Sequence, residues 1–361
     1  MKILQIRLPN LVHNLNLIRS KLNTKTQLIA VVKANAYGQG AVPIAHKLVA
    51  EGVDLLAVAY TEEGIALRKA GITARIMVFY PQTENCNALI NHCLEPVLYS
   101  KVFLKTFLTS TKLQKLTAYP VHLKFNTGLN RIGFSQNEAQ WILDQKKDNA
   151  LNIKSIYSHL AASEESKPHP QSSLQWQRFQ EIRTFFKQAI PDVQFHILNT
   201  SGVFNYPEWQ LDAVRVGIGL YGYANHPDWD TALKPVASLK ATITQVHYLQ
   251  KGEYVGYNQG WVATKSTTIA TIPIGHADGI GRQFGHSIGA VYIKGKEAQI
   301  IGNVCMDLLM VDITETGGAE GDEVIFFDSD KDLNHWAKKG KTIPYELLTG
   351  LSKRIARQII E

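Results

Sequence analysis

The residue in this chain best placed to do chemistry is Lys33, which ends a short apolar run. Residues 28–32 are apolar, continuous and rich in β-branched side chains, as expected of a strand buried on both faces, and residues 41–49 have helical spacing. In an α/β protein the end of such a strand is the rim on which active sites lie. A lysine held there against apolar surface loses hydration, so its pKa falls and it becomes an amine nucleophile or base. An ordinary lysine that points into solvent is the alternative.

Eight short apolar runs must position Lys33 and any partners. They alternate with helical stretches between residues 28 and 221, and one helix is marked by Thr61 followed by two acids in its first turn. The candidate strands are residues 28–33, 54–59, 75–79, 95–98, 121–125, 153–158, 194–198 and 213–216. Eight strand and helix pairs over this length match the size of a (β/α)8 barrel. An open doubly wound sheet is the alternative, but the loop after Lys33 lacks the full dinucleotide-binding fingerprint.

The pattern changes after about residue 235. Strand-like segments with glycine-rich turns follow at residues 236–249, 267–274, 288–293, 299–302, 308–313 and 323–327, with little helix before Asp332 and Tyr345. The sequence therefore predicts an α/β protein with an N-terminal (β/α)8 TIM-type barrel over residues 1–234. A C-terminal mainly-β domain is predicted over residues 235–361.

Composition and charge restrict the class of protein. The 361 residues are 45% hydrophobic, which is enough to bury a large core, and the net charge of +7 is spread without a basic run or an aromatic ladder. We therefore expect no nucleic-acid partner. No apolar run reaches the ~18 residues of a membrane span, and charges interrupt the N-terminus, so neither a membrane anchor nor a signal peptide is expected. Cys86, Cys93 and Cys305 have no metal-ligand spacing, which indicates no metal site and a reducing, cytoplasmic location.

Residues 32–38, Val-Lys-Ala-Asn-Ala-Tyr-Gly, resemble the cofactor-binding signature of the alanine racemases. In that family the lysine forms a Schiff base with pyridoxal 5'-phosphate and the tyrosine reaches the cofactor's phosphate. The resemblance therefore implies that Lys33 anchors pyridoxal phosphate and that Tyr37 contacts its phosphate. Decarboxylases and a small family of cofactor-carrier proteins on the same barrel have similar strands, so these seven residues leave those classes open.

The segment from His122 to Gly133 extends the resemblance. It implies that Arg131 grips the substrate carboxylate, for which a planar two-donor guanidinium is suited. Lys124 matches a lysine that is carbamylated in many members of the family. Asn126 stands where those members commonly have an aspartate, so the local charge differs here.

Three later strand ends carry further matches. The resemblance implies that His159 lies beneath the cofactor ring, that Asn199 and Ser201 contact the cofactor, with Ser201 at its phosphate, and that Gly217 and Ile218 offer backbone N–H groups to the same phosphate. A phosphate site after the seventh and eighth strands recurs in barrels of this class, and backbone N–H groups at a helix start bind anions.

Arg215 is the decisive residue for the electronics of the cofactor. In this family an arginine faces the pyridine nitrogen, and its high pKa prevents it from giving that nitrogen a proton. The decarboxylases on the same fold present an acid at this position, so Arg215 argues against that class.

Racemisation needs an acid and a base on opposite faces of Cα. Lys33 serves one face, and the resemblance implies that Tyr257 serves the other, with Tyr254 as the alternative. In the family this tyrosine belongs to the partner subunit, as does the segment of Met306, whose backbone N–H contacts the substrate carboxylate. We therefore predict a homodimer with shared active sites.

Two positions depart from the family pattern. His276 stands where a tyrosine usually narrows the substrate entrance, and Lys353 stands where many members have a phosphate-binding tyrosine. The resulting hypothesis is a pyridoxal-phosphate-dependent alanine racemase that interconverts L-alanine and D-alanine and supplies D-alanine for peptidoglycan. A serine or broad-specificity amino-acid racemase is the enzymatic alternative. A pyridoxal-phosphate carrier protein is the alternative that is not an enzyme, although carriers lack a C-terminal β domain with a second base.

Overall fold

Eight parallel strands form a barrel in the computed structural model, which describes residues 1–146, 150–165, 167–328 and 330–361. The chain begins with β1 (Lys2–Arg7), which lies outside the barrel. The barrel strands are β2 (Gln27–Val31), β3 (Leu55–Val58), β4 (Arg75–Val78), β5 (Glu95–Leu98), β6 (Tyr119–Lys124), β7 (Leu151–Tyr157), β8 (Gln194–His196) and β9 (Ala213–Val216). They are ordered β8-β7-β6-β5-β4-β3-β2-β9. Backbone hydrogen bonds from Asp212 to Phe195 (3.1 Å) and from Arg215 to Leu198 (3.0 Å) connect the two ends of this sheet.

Helices cover the outer face of the barrel, so its strands are buried on both faces. All residues of β3, β5 and β9 are buried, as expected where side chains fill the barrel on one side and meet helices on the other. The helices of this part are α1 (Leu8–Arg19), α2 (Lys33–Tyr37), α3 (Ala41–Ala50), α4 (Thr61–Lys69), α5 (Cys86–Asn91), α6 (Lys101–Leu113), α7 (Ala139–Gln145), α8 (Pro170–Ala189), α9 (Thr200–Asn205) and α10 (Pro227–Asp230). No helix in the described part of the chain has both the length and the apolar composition to cross a membrane.

A nine-stranded sheet dominates the rest of the chain, with the order β11-β14-β17-β16-β15-β18-β10-β1-β19. Its strands besides β1 are β10 (Ala237–Thr242), β11 (Gln245–Leu249), β14 (Thr267–Ile272), β15 (Ala290–Ile293), β16 (Lys296–Ile301), β17 (Leu309–Asp312), β18 (Glu323–Phe327) and β19 (Ala356–Ile360). A small hairpin of β12 (Tyr254–Val255) and β13 (Trp261–Val262) projects from it. Two helices, α11 (Asp330–Lys339) and α12 (Pro344–Thr349), come near the C-terminus.

The predicted fold class, a barrel followed by a mainly-β domain, is confirmed. Residues 236–249 were predicted as one strand but form two, β10 and β11. The reason is that β10 pairs with β1 and β18, whereas β11 pairs with β14. The strands β1 and β19 were not predicted. Both pair with segments distant in sequence, and β1 lies in the nine-stranded sheet although it precedes the barrel. The predicted division at residues 234 and 235 stays a prediction.

Candidate active site

One pocket of about 460 Å³ opens at the carboxyl ends of the barrel strands. Among the described residues that line it, four are basic and none is acidic, which suits a ligand with negative charge. The basic residues are Lys33, Lys124, Arg131 and Arg215. Other residues singled out from the sequence that line the pocket are Tyr37, His159, Asn199, Gly217 and Ile218. The barrel thus brings together side chains that are far apart in sequence.

Lys33 begins a helical turn of unusual hand. The φ angles of Ala34, Asn35, Ala36 and Tyr37 lie between 52° and 56°, and Gly38 follows at 80°. Left-handed backbone costs about 1–2 kcal/mol for each residue other than glycine, so the surrounding structure must impose this turn. The turn directs Lys33 and Tyr37 into the same pocket.

Three side chains hold that turn in place. The Glu63 carboxylate accepts hydrogen bonds from the backbone N–H groups of Ala34 (2.6 Å) and Ala59 (2.7 Å). The Asn35 side chain accepts one from the backbone of Ala41 (2.9 Å), and the Arg357 guanidinium donates to the carbonyl of Gly38 (2.8 Å). These bonds connect the turn to α3, α4 and the C-terminal strand. Burial and the nearby Arg131 lower the pKa of Lys33, although Glu63 raises it, so the environment shifts this amine towards its neutral form.

Arg131 is presented by a closed loop that leaves the end of β6. Backbone hydrogen bonds of 2.8 Å join Asn126 to Phe134 and Phe134 to Lys124 across the base of the loop. The Asn126 side chain accepts hydrogen bonds from the backbone of Gly128 (3.1 Å) and of Asn130 (3.0 Å). An asparagine oxygen in this position therefore shapes the loop.

Lys124 is a buried lysine among positive charges. Its side chain lies over the rings of Tyr80 (5.5 Å) and Tyr157 (5.7 Å). Burial, together with the nearby Arg215 and Arg131, lowers the pKa of Lys124 to about 7. A large fraction of this amine is therefore neutral at physiological pH.

Arg215 lies on the barrel floor of the pocket with both terminal nitrogens engaged. Nη1 donates to His196 Nδ1 (2.7 Å), and Nη2 donates to the carbonyl of Ser158 (2.7 Å) and to His159 Nδ1 (3.0 Å). Burial lowers the pKa of Arg215 to about 10, so it remains a cation at neutral pH. Burial and then Arg215 hold the pKa of His159 well below its ordinary value, so this imidazole is neutral.

Tyr37 and Gly217 meet at the opposite end of the pocket. A Cβ atom on residue 217 would collide with the Tyr37 hydroxyl, so only glycine fits there. Ile218 begins a 3-10 turn, where the first N–H groups have no partner within the turn. The Gly217 N–H already donates to Thr200 Oγ1 (3.2 Å).

Four residues that the sequence analysis assigned to the site do not line this pocket. They are Ser201, Lys353, Tyr257 and Met306. Ser201 is buried in α9 and donates to the carbonyl of Ala224 (3.3 Å), while its neighbour Thr200 lines the pocket. Lys353 lines a separate cavity on the other side of the Lys33 turn. Tyr257 and Met306 are 71% and 59% exposed on the C-terminal domain and do not line the pocket of this chain.

The structure adds Tyr345, which sequence reasoning missed. It lines the pocket, packs against Tyr37 with ring centres 5.9 Å apart, and accepts a hydrogen bond from Asn225 (3.1 Å). The Pro-Tyr pair that begins α12 was a local signal for a helix start. It does not indicate the pocket, because Tyr345 reaches the pocket only through the packing of α12 near Tyr37. The sequence analysis considered Lys353 at the position of the family's phosphate-binding tyrosine, but it is Tyr345 that lines the pocket beside Tyr37.

A (β/α)8 barrel that presents a lysine of lowered pKa in the pocket at its strand ends, followed by a β domain, defines a class of two-domain barrel enzymes. Family models for the alanine racemase N-terminal domain and C-terminal domain match residues 6–225 and 236–359. The chain belongs to the alanine racemase family, and it is an isomerase of the racemase type.

Relatives of similar length support this membership. The chain is 35% identical to alanine racemase of Carboxydothermus hydrogenoformans, with 98% of each chain covered. It is 35% identical to that of Synechocystis sp., covering 97% of this chain and 96% of the relative.

Solved structures agree with these relatives. Alanine racemase of Clostridium difficile 630 superposes with a TM-score of 0.93 at 32% identity, covering 99% of this chain and 95% of that one. Alanine racemase of Bartonella henselae, solved with covalently bound pyridoxal phosphate, gives a TM-score of 0.90 at 29% identity and covers 99% of both chains.

Proposed function

We propose that this protein is a pyridoxal-phosphate-dependent alanine racemase that exchanges the Cα proton of alanine between Lys33 and Tyr257. The observation that carries the proposal is that a lysine of lowered pKa, two arginines and Gly217 line one pocket. None of the described residues that line this pocket is acidic. A phosphate and a carboxylate are the groups that such a pocket suits.

The residues of the pocket fit pyridoxal phosphate. Lys33 would bind it covalently, while Tyr37, Tyr345, Ile218 and neighbouring backbone would hold its phosphate. When bound, pyridoxal phosphate supplies an electron-withdrawing ring that acidifies the Cα–H of the attached amino acid. The contributions of Asn199, Ser201 and Gly217 to the cofactor site are part of the same proposal.

Arg215 would meet the ring nitrogen and His159 would lie beneath the ring. The Nε–H of Arg215 has no acceptor within the described part of the chain, so it is available to a ring nitrogen. Because Arg215 stays charged, it donates a hydrogen bond without giving up its proton. This limits the negative charge that the ring accepts and favours simple return of the proton to Cα.

Arg131 and the two bases act on the substrate. Arg131 would hold the carboxylate with two parallel N–H donors, which fixes the direction of the Cα–H bond. One of Lys33 and Tyr257 would remove the Cα proton from its face while the other would deliver its own proton to the opposite face, which inverts the hand. The Met306 segment would contribute a backbone N–H to the same carboxylate.

The position of Tyr257 leads us to propose a homodimer with shared sites. Tyr257 and Met306 are exposed on the C-terminal domain, together with Tyr248 (79%) and Tyr254 (55%). A second copy packed head to tail would cover these side chains and bring them over the pocket of the first. We further propose D-alanine for peptidoglycan as the biological product. The cytoplasmic location stays a prediction from the sequence.

The test is side-by-side racemisation of L-alanine, L-serine and L-lysine in D₂O by the purified protein. We expect D-alanine with deuterium at Cα, and borohydride reduction followed by mass spectrometry should locate the cofactor on Lys33. Racemisation of serine or lysine without alanine would contradict the substrate assignment and favour the broad-specificity alternative, for which the exposed His276 is the motivating residue. A Tyr257→Phe variant with full activity would contradict the two-base assignment.

A further inference from the structure

A continuous line of buried polar side chains runs through the barrel interior beneath Arg215. Arg215 Nη1 contacts His196 Nδ1 at 2.7 Å, and His196 Nε2 contacts Ser155 Oγ at 2.9 Å. Ser155 Oγ contacts His122 Nδ1 at 2.7 Å, and His122 Nε2 contacts Glu95 Oε2 at 2.9 Å. The line therefore connects the floor of the pocket to a carboxylate on β5.

The Glu95 carboxylate is anchored at the far end of this line. Arg75 donates two hydrogen bonds to it, from Nε at 2.7 Å and from Nη2 at 2.8 Å. Burial raises the pKa of Glu95, but the hydrogen bonds from His122 and Arg75 outweigh burial and bring this pKa down to about 2. The carboxylate is therefore an anion. Burial lowers the pKa values of His122 and His196, so both imidazoles are neutral.

The chemistry of the two ends allows only one arrangement of protons along the line. Arg215 can only donate, so His196 Nδ1 must accept and His196 must carry its proton on Nε2. That proton is donated to Ser155 Oγ, and the serine hydroxyl then donates to His122 Nδ1. His122 therefore carries its proton on Nε2 and donates it to Glu95, which can only accept.

We infer that Glu95, His122 and Ser155 are positioning residues for Arg215, because they hold His196 in the tautomer that the Arg215 Nη1–H requires. Every donor in the line points towards Glu95, so the dipoles add and the carboxylate stabilises a buried cation that it does not touch. If His196 carried its proton on Nδ1 instead, two donors would face each other at 2.7 Å and the guanidinium would have to turn.

The expected effect of this line on catalysis rests on the proposed function. The positions of the protons between Arg215 and Glu95 do not depend on it. With Nη1 and Nη2 fixed, the Nε–H of Arg215 has one direction in the pocket. A guanidinium held through Nη2 alone could tilt, so it would meet a ring nitrogen in the correct geometry for only part of the time, and the proton-exchange step would slow. Substrate binding through Arg131 would be unaffected.

The decisive variant is Ser155→Ala, which removes one buried hydroxyl from the middle of the line. The matched control is Ser172→Ala, which removes a buried hydroxyl of α8 that donates only to the carbonyl of Ala162 (3.1 Å). Both are measured as the isolated protein with its cofactor, by ¹⁵N NMR of histidine-labelled samples and by kcat and KM for alanine.

In the wild-type protein we expect His196 and His122 to show a protonated Nε2 and a bare Nδ1. In Ser155→Ala the His196 signals should change, and kcat should fall on the order of 10-fold with KM unchanged, as for other removed supporting groups. The control should match the wild type in all three measurements.

Several results would overturn the inference. These are a wild-type His196 protonated on Nδ1 or on both nitrogens, His196 signals that Ser155→Ala leaves unchanged, and an unchanged kcat despite changed signals. Failure of the proposed function is a separate result, because a protein without cofactor absorbance or racemisation still reports the histidine tautomers by NMR.

Discussion

The Glu63 carboxylate bonds to the backbone N–H of Ala34, the residue that follows Lys33, at 2.6 Å. The same carboxylate receives the N–H of Ala59 at the end of the neighbouring barrel strand. One acidic side chain thus joins the left-handed turn of the reactive lysine to β3 and the start of α4. The geometry of Lys33 depends on a residue thirty positions later in the chain.

Replacement of Glu63 by alanine should weaken both the fold and the lysine site. Hydrogen bonds to a charged acceptor contribute about 1.5–3 kcal/mol each. Glu63 is half-buried and accepts two short ones, from Ala34 and Ala59, so at the low end of that range we expect the free energy of unfolding to fall by about 3 kcal/mol. Urea denaturation measures this, and Lys33 modification by pyridoxal phosphate should slow in parallel. The neighbouring Glu62→Ala is the control, since Glu62 is exposed and accepts only a side-chain bond from Asn85. Equal losses in the two variants would refute the assignment.

Gly217→Ala should damage the proposed phosphate end of the pocket. The new Cβ would meet the Tyr37 hydroxyl and lie 3.1 Å from Tyr37 Cζ, so the ring must shift. We expect cofactor affinity to fall about 100-fold, as for other displacements near 1 Å in a positioned site. Titration with pyridoxal phosphate measures it. The double variant Gly217→Ala/Tyr37→Phe is compared with Tyr37→Phe, so that the phosphate contact of the hydroxyl is missing from both. Without the colliding oxygen, Gly217→Ala should cost less affinity than it does beside Tyr37; an equal loss in the two backgrounds would show that steric conflict with the hydroxyl is not the cause.

Lys124 should make stability depend on pH. Burial brings the pKa of Lys124 from its ordinary 10.5 to about 7 in the folded chain. Between these values the unfolded chain binds a proton that the folded chain does not, so the free energy of unfolding rises with pH across this window. Below about pH 7 both states are protonated and the full destabilisation is present.

The variant Lys124→Met removes this titration. In CO₂-free buffer its free energy of unfolding should rise less than that of the wild type between about pH 7 and about pH 9.5, and it should exceed the wild type at the lower pH. The exposed lysine of α8 provides the control as Lys187→Met. Parallel pH profiles for wild type and Lys124→Met would show that Lys124 does not carry the effect.

Mixed dimers should recover activity if the sites are shared. Lys33→Ala and Tyr257→Phe homodimers should each be nearly inactive. After subunit exchange, one site of each mixed dimer has both groups intact, so about a quarter of wild-type activity should return, given that half of the dimers are mixed and half of their sites are complete. No recovery, with exchange verified by mass spectrometry, would contradict a site that combines Lys33 of one subunit with Tyr257 of the other.

The barrel and its strand-end residues could be predicted from the sequence because each depends on a short, local pattern of residues. A buried parallel strand is a short apolar run, and the rim residue is the polar one that follows it, as Lys33 and His159 do. Arg215 lies within β9 and reaches the floor of the pocket. Their convergence follows from the barrel itself, since all eight strands end at the same rim. The motifs then added the chemical assignment that spacing alone left open.

The remaining features depended on contacts between segments distant in sequence. The strand β1 pairs with residues more than two hundred positions away, and Tyr345 enters the pocket because α12 packs against the Lys33 turn. The left-handed backbone from Ala34 to Tyr37 has no local signal, since neither alanine favours it; bonds from Glu63 and Arg357 impose it. Local sequence patterns were enough to predict which residues lie near the rim of the barrel. The orientation of Lys33 and the order of protons beneath Arg215 required the three-dimensional contacts, because the direction of a hydrogen bond depends on both partners at once.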